Sequence, residues 1–160
     1  MQGMIHHHAQ AIVMAKWAPA HATRAEVKIL AERIVVAQRD EIEFMQRWLR
    51  ERREAVPDIA AEQEHAGMDM PEMHMTGTLM PGMLTPQQMI ALGKANGAEF
   101  DRLFLTGMIQ HHQGALTMVD KLFGSGGAGQ EERIFKFASD VAADQAAEID
   151  RMQTLLAGKP

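Results

Sequence analysis

Residues 4–14 read Met-Ile-His-His-His-Ala-Gln-Ala-Ile-Val-Met, and residues 108–118 read Met-Ile-Gln-His-His-Gln-Gly-Ala-Leu-Thr-Met. Both stretches contain the pattern Met-Ile-x-His-His-x-x-Ala-x-x-Met, so the chain carries one motif twice. In a helix, residues three or four apart share a face. The two copies therefore predict helices with imidazole and thioether groups on one stripe, which is formed by Met4, His7, Ala11 and Met14 in the first copy and by Met108, His111, Ala115 and Met118 in the second.

A second repeat lies downstream of each motif. The pattern Gln-x-x-Glu-Ile-x-x-Met occurs at residues 38–45 and again at residues 145–152, each time within an apolar stripe of helical spacing. Buried carboxylates are rare unless they are paired. We therefore expect Glu41 and Glu148 to meet the histidines of a facing helix, with Met45 and Met152 one turn further along.

These repeats predict an all-α fold. Aromatic residues make up only 5% of the chain and there is no tyrosine, a composition that disfavours strands. We expect a single domain, residues 1–160, in which helical hairpins 1–54 and 85–160 are joined by a connector, residues 55–84. Two hairpins of this kind form a four-helix bundle.

Local signals give the expected helix ends. The first helix should stop before Pro19, and Thr23 with Glu26 should form a capping box that opens the second helix, which runs to about Glu54. Thr85, Pro86 and Gln88 predict the start of a short helix. Asn96-Gly97 then allows a kink before the second motif helix.

The connector is a second candidate site. It places clustered thioether and imidazole groups on an irregular segment, namely Met68, Met70, Met73, His74 and Met75. One interpretation is a soft metal site with exchangeable ligands. The other is a methionine-rich loop that covers an apolar groove; the adjoining Asp69 and Glu72 make this cover a poor one.

Ligand softness indicates which metal the motif would take. The chain has 14 methionines, 8 histidines and no cysteine, and such a set suits Cu(I), Ag(I) or copper that cycles between Cu(I) and Cu(II). A di-iron site would need Glu-x-x-His on two helices, whereas the repeated motifs of Glu41 and Glu148 read Gln-x-x-Glu-Ile-x-x-Met. The candidate metal-site residues of the bundle are His7, His8, Met14, His111, His112 and Met118, with Met4, Met108, Met45, Met152, Glu41 and Glu148.

Glu41 and Glu148 could instead act as outer groups that accept an imidazole N–H and fix the tautomer. The alternative to metal binding is that these are core histidines, hydrogen-bonded to the glutamates and otherwise structural. If metal binding needs neutral imidazoles, affinity should fall below about pH 6, near the ordinary pKa of histidine.

Other function classes find little support. The net charge of −5 and the absence of a basic patch disfavour nucleic acid, no apolar run is long enough to span a membrane, and no motif for nucleophilic catalysis is present. The expected partners are a metal ion and a protein that donates or accepts it, and we expect no enzymatic activity. A ferritin-like redox metalloenzyme and a purely structural bundle remain the alternatives.

At these residues the chain resembles the family known as domain of unknown function 305. The resemblance is carried by Asp101-x-x-Phe104-x-x-x-Met108, by the two His-His motifs, by both Gln-x-x-Glu-Ile-x-x-Met segments and by the connector before Leu84-Thr85-Pro86. It implies a ferritin-like four-helix bundle, exported to the periplasm or secreted, and copper or silver binding linked to metal resistance. The chain opens inside its first motif, which we interpret as the trimmed product of a longer precursor.

Overall fold

The computed structural model of the chain describes residues 1–60, 79–127 and 130–158, and these residues form helices but no strands. The predicted all-α class is therefore confirmed for the described residues. The principal helices, numbered in chain order, are α1 (Gln2–His21), α2 (Ala25–Glu51), α3 (Pro86–Lys94), α4 (Gly97–Gly124) and α5 (Glu132–Leu156). The kink expected at Asn96-Gly97 is a full break between α3 and α4, where Gly97 has a φ of 65°.

The long helices pack as two antiparallel pairs. Helix α1 lies along α2, and α4 lies along α5. Helix α1 also packs against α4 in the opposite direction, because Gly3 lies beside Met118 while Thr23, at the other end of α1, bonds to Asp101. The division of the chain at residues 54 and 84, and the ferritin-like class, stay predictions.

The main hydrophobic core draws side chains from all four long helices. Fully buried Met14, Ile34, Met108 and Met152 come from α1, α2, α4 and α5 respectively and belong to one cluster. A second cluster around Ile5, Ile12 and Met45 fills the space nearer the start of α1. Helices α2 and α5 each bury one stripe, whereas α1 is buried at most positions from Ile5 to Ala15, and this burial holds the helices together.

Two expected helix ends are wrong. Helix α1 continues through Pro19 to His21, since a proline in the last turn forfeits only one hydrogen bond while the following residues still close the turn through Ala22 N–H to Ala18 O. No capping box opens α2, whose N-cap is Arg24 without a side-chain cap. By contrast, the capping box of Thr85 and Gln88 at the start of α3 is confirmed.

Asp101 of α4 caps α2 from across the fold. Its two carboxylate oxygens accept hydrogen bonds from the backbone N–H groups of Thr23 and Arg24, each at 3.1 Å, and the residue is buried. These donors lie at the positive end of α2, where a carboxylate is favoured by the helix dipole. The contact ties the start of α2 to α4.

We expect Asp101→Asn to lower the free energy of unfolding by about 2 kcal/mol, because an amide offers only one oxygen to two buried donors. Urea unfolding followed by circular dichroism measures the change. Asp40→Asn is the matched control, because it removes the same charge from an exposed position of α2. Equal effects of the two substitutions would contradict a capping role for Asp101.

Candidate metal centre

The four motif histidines meet in the middle of the bundle. His7 and His8 of α1 and His111 and His112 of α4 are all at most 1% exposed. The rings of His7 and His111 face each other with centroids 3.8 Å apart, and each lies 6.2 Å from the ring of the neighbouring histidine on its own helix. The repeated motif therefore forms one cluster from both halves of the chain.

The inner pair, His7 and His111, donates to backbone carbonyls. His7 Nε2 lies 3.0 Å from the carbonyl oxygen of Pro81, and His111 Nε2 lies 2.8 Å from the carbonyl oxygen of His7. A carbonyl oxygen can only accept, so in both rings the proton must be on Nε2. The Nδ1 atom of each ring then carries a lone pair.

The outer pair, His8 and His112, contacts the two glutamates as the sequence predicted. His112 Nε2 donates to Glu148 Oε2 at 2.6 Å. His8 Nε2 also lies 2.6 Å from Glu41 Oε2, but the angle is not that of a hydrogen bond. Both glutamates come from the facing helices, α2 and α5, and are partly exposed, so they lie between the imidazoles and solvent.

All four histidine Nδ1 atoms are buried without a hydrogen-bond partner. An unpaired buried polar atom costs on the order of 1–3 kcal/mol, and four at one place is a concentration that structural packing alone does not require. Imidazole binds metals through such a lone pair while the other nitrogen is held by a carbonyl or a carboxylate. The cluster therefore has the donor chemistry and the outer partners of a metal site.

A tight crossing of the chain over α4 supplies the partner of His7. A Cβ atom at Gly114 would lie 1.9 Å from the oxygen of Pro81, so only glycine lets this turn reach α4. Gln10 fixes the same segment by donating to Leu84 O and accepting from Leu84 N–H. Sequence patterns gave no indication of Pro81 or Gly114, because their role depends on a contact distant in the chain.

Burial keeps the inner imidazoles neutral. It lowers the pKa of His7 from its ordinary value of 6.5 to about 3, with a further contribution from His8, while the hydrogen bond to Pro81 acts in the opposite direction. Burial also lowers the pKa of His111 well below its ordinary value, assisted by the neighbouring His7. Neutral imidazole is the metal-binding form.

The methionines of the two motifs separate into two groups. Met14, Met108 and Met152 are fully buried in the main core. Met4, Met45 and Met118 line an apolar pocket of about 710 Å³ that lies next to the start of α1. Packing accounts for the first group, and the role of all six as ligands stays a prediction.

The connector residues Met68, Met70, Met73, His74 and Met75 lie outside the described residues. Within residues 1–60, 79–127 and 130–158, no three His, Asp or Glu side chains are grouped as a metal-binding set. An ion at the imidazoles would therefore use fewer than three of these groups, add thioether ligands, or turn the rings. Over the same residues, no helix is long and apolar enough to cross a membrane.

Comparison with known proteins places these features in context. The sequence matches the domain of unknown function DUF305 over residues 1–156. No curated protein matches it. Among solved structures, a DUF305 fragment from Deinococcus radiodurans has a TM-score of 0.76 at 24% identity and covers 98% of this chain and 91% of its own. A DUF305 protein from Streptomyces coelicolor, thought to be secreted, has a TM-score of 0.77 at 27% identity and covers 98% and 89%.

CopM is a further structural relative. Its Cu(II)-bound form is 30% identical to this chain, with a TM-score of 0.73 and coverage of 98% of this chain and 93% of CopM. Structures of CopM with Cu(I) and with Ag, at 28% identity, match with TM-scores of 0.70 and 0.68. A protein of the same fold therefore binds both copper states and silver.

The metal-free protein should lose stability in acid because His7 is neutral when folded. Between pH 6.5 and about 3, the unfolded chain binds a proton at this histidine that the folded chain does not. The free energy of unfolding should therefore fall by about 1.4 kcal/mol for each pH unit in this window, from His7 alone.

Urea unfolding in the presence of a chelator, at several pH values, measures this slope. His7→Gln is the informative variant, because its side-chain amide can still donate to Pro81 but does not titrate. Its slope should be shallower than that of the unsubstituted protein by one proton. Identical slopes would show that His7 does not titrate with a lowered pKa.

Proposed function

Because this chain belongs to the DUF305 family, we propose that it binds Cu(I), with Ag(I) as a close substitute, and sequesters or transfers it in an exported compartment. The binding site would be the imidazole cluster inside a ferritin-like bundle of two related hairpins. The copper and silver complexes of CopM support this choice of metal at the level of the family. The relative thought to be secreted supports the compartment.

The observation that carries the proposal is the set of four buried Nδ1 atoms without a hydrogen-bond partner, on His7, His8, His111 and His112. Each ring has its Nε2 atom beside a carbonyl or carboxylate oxygen, so the rings are oriented with Nδ1 available. This is the arrangement by which outer partners hold metal-binding histidines in other proteins.

The same geometry favours a soft monovalent ion. Among the described residues, no group of three imidazoles and carboxylates is preorganised around one point, and Cu(I) and Ag(I) accept few ligands. Nitrogen and thioether donors without thiolate also suit these ions. Zn²⁺, by contrast, is usually held by four ligands in a tetrahedral arrangement.

The pKa values change the expected pH dependence. Protons should not displace metal from His7 near pH 6, because burial lowers the pKa of this ring to about 3. We therefore propose that the bundle site keeps its metal in mildly acidic solution. The pH near 6 derived from an ordinary histidine would apply to exposed imidazoles instead.

A redox enzyme is the less favoured function. A carboxylate-ligated metal pair would need Glu41 and Glu148 as direct ligands. In this structure each of them instead has an oxygen 2.6 Å from a histidine Nε2. That position suits an outer partner better than a ligand.

The test is a titration of the chain with Ag(I) and Cu(I) against a competing chelator. The double substitution His7→Gln and His111→Gln keeps an N–H donor for both carbonyls and removes two Nδ1 lone pairs. We expect the variant to bind one ion fewer, with a loss of affinity at that site larger than the roughly 10- to 100-fold cost of losing an outer partner.

His21→Gln is the matched control, because His21 lies outside the cluster and bonds to the carbonyl oxygen of Ala95. Ions held by the connector should be unaffected by either change. Binding at the bundle site should also raise the melting temperature of the unsubstituted protein. An unchanged stoichiometry and affinity in the double variant would reject the imidazole site.

A further inference from the structure

A groove of about 660 Å³ opens between α2 and α5, on the side of the bundle away from the contact of α1 with α4. Its lining includes both members of two repeated pairs, Gln38 with Gln145 and Glu41 with Glu148. It also includes Asp144, which is exposed on α5. The groove thus brings the Gln-x-x-Glu segments of both hairpins together.

The two glutamines carry the argument for a ligand. Gln38 is 1% exposed and Gln145 is 2% exposed, yet the Oε1 atom of each has no hydrogen-bond partner. A buried amide oxygen without a partner is costly unless a water or an ion completes it. Finding the same unpartnered atom at the same position of both repeats makes an occasional packing defect a poor explanation.

The charges around the groove indicate the sign of that ligand. The lining contains more carboxylates than guanidiniums. The carboxylates are those of Glu26, Glu41, Asp144 and Glu148, and the guanidiniums are those of Arg33 and Arg151. The carboxylate of Glu26 forms an ion pair with Arg24 at 3.8 Å, so its charge is partly compensated. Burial, together with repulsion from Glu41 and Glu148, raises the pKa of Asp144. A cation in the groove would relieve this repulsion.

The ligand atoms that the groove offers are oxygens. Glu41 and Glu148 each direct Oε2 toward a histidine, and a carboxylate has a second oxygen with lone pairs of its own. Carboxylate and amide oxygens are the ligands of hard cations such as Ca²⁺, Mg²⁺ and Mn²⁺. Since no three His, Asp or Glu side chains are grouped among the described residues, the amide oxygens are needed to complete the set.

We propose that this groove binds a hard divalent cation through oxygen atoms alone, from the amides of Gln38 and Gln145 together with at most two of the carboxylates Asp144, Glu41 and Glu148. The site is separate in chemistry from the imidazole cluster, which offers nitrogen to a soft ion. The two sites adjoin through the glutamates, so the outer cation would lie where solvent meets the histidine partners.

The experiment titrates the full chain, freed of metal by a chelator, with Mn²⁺ and follows free Mn²⁺ by electron paramagnetic resonance. We expect one Mn²⁺ per chain, displaced by excess Ca²⁺ but not by NaCl of equal ionic strength. Asp144→Asn should weaken binding about tenfold, which corresponds to about 1.4 kcal/mol. Asp120→Asn removes the same charge from an exposed position of α4 outside the groove and should change little.

The variant Gln145→Leu distinguishes a role of Gln145 as a metal ligand from a role in the stability of the fold. It removes an acceptor that has no partner, so it should weaken Mn²⁺ binding without lowering the melting temperature. Absence of Mn²⁺ binding, displacement by NaCl alone, or equal effects of the two aspartate variants would overturn the proposal. Ag(I) binding is measured separately, so failure of the imidazole site would leave the Mn²⁺ result interpretable.

Discussion

The fold depends on the burial of four imidazoles, because their polar nitrogens need partners inside the protein. Each buried N–H must meet an acceptor, because an unpaired donor in the core would cost more than a typical hydrogen bond returns. Three rings have such an acceptor, in the Pro81 carbonyl, the His7 carbonyl and Glu148, while Glu41 lies 2.6 Å from Nε2 of His8 without the angle of a hydrogen bond. Helices α2 and α5 and the chain crossing over α4 therefore all have positions fixed by these rings.

The two copies of the His-His motif do not have the same surroundings. His111 donates to the carbonyl of His7, whereas His7 donates to Pro81, which has no counterpart in the other repeat. The difference arises at equivalent motif positions, where Gly114 admits the crossing segment and Gln10 instead bonds to it at Leu84. The crossing segment lies on only one side of the bundle, so the two copies of the motif have different partners.

The sequence predicts the features that depend on helical spacing, namely the helices and the residues that share a helix face. The contacts of Glu41 and Glu148 with histidines of a facing helix are predicted correctly, because a buried carboxylate needs a partner within reach. Prediction failed where a non-local contact replaced a local one. Asp101 caps α2 in place of Thr23 and Glu26. A local sequence pattern spans only a few residues, so it cannot predict a contact between Asp101 and Thr23, which are 78 residues apart in the chain.

The arrangement of polar groups also separates two kinds of chemistry across the bundle. Buried imidazole nitrogens occupy the centre, while carboxylate oxygens line the groove between α2 and α5. Glu148 belongs to both regions, since it accepts from His112 and lines the groove. A cation bound at Nδ1 of His112 would make its Nε2–H a stronger donor and tighten the bond to Glu148. A positive charge at the imidazole cluster would therefore change the electrostatic potential of the groove through the carboxylate of Glu148.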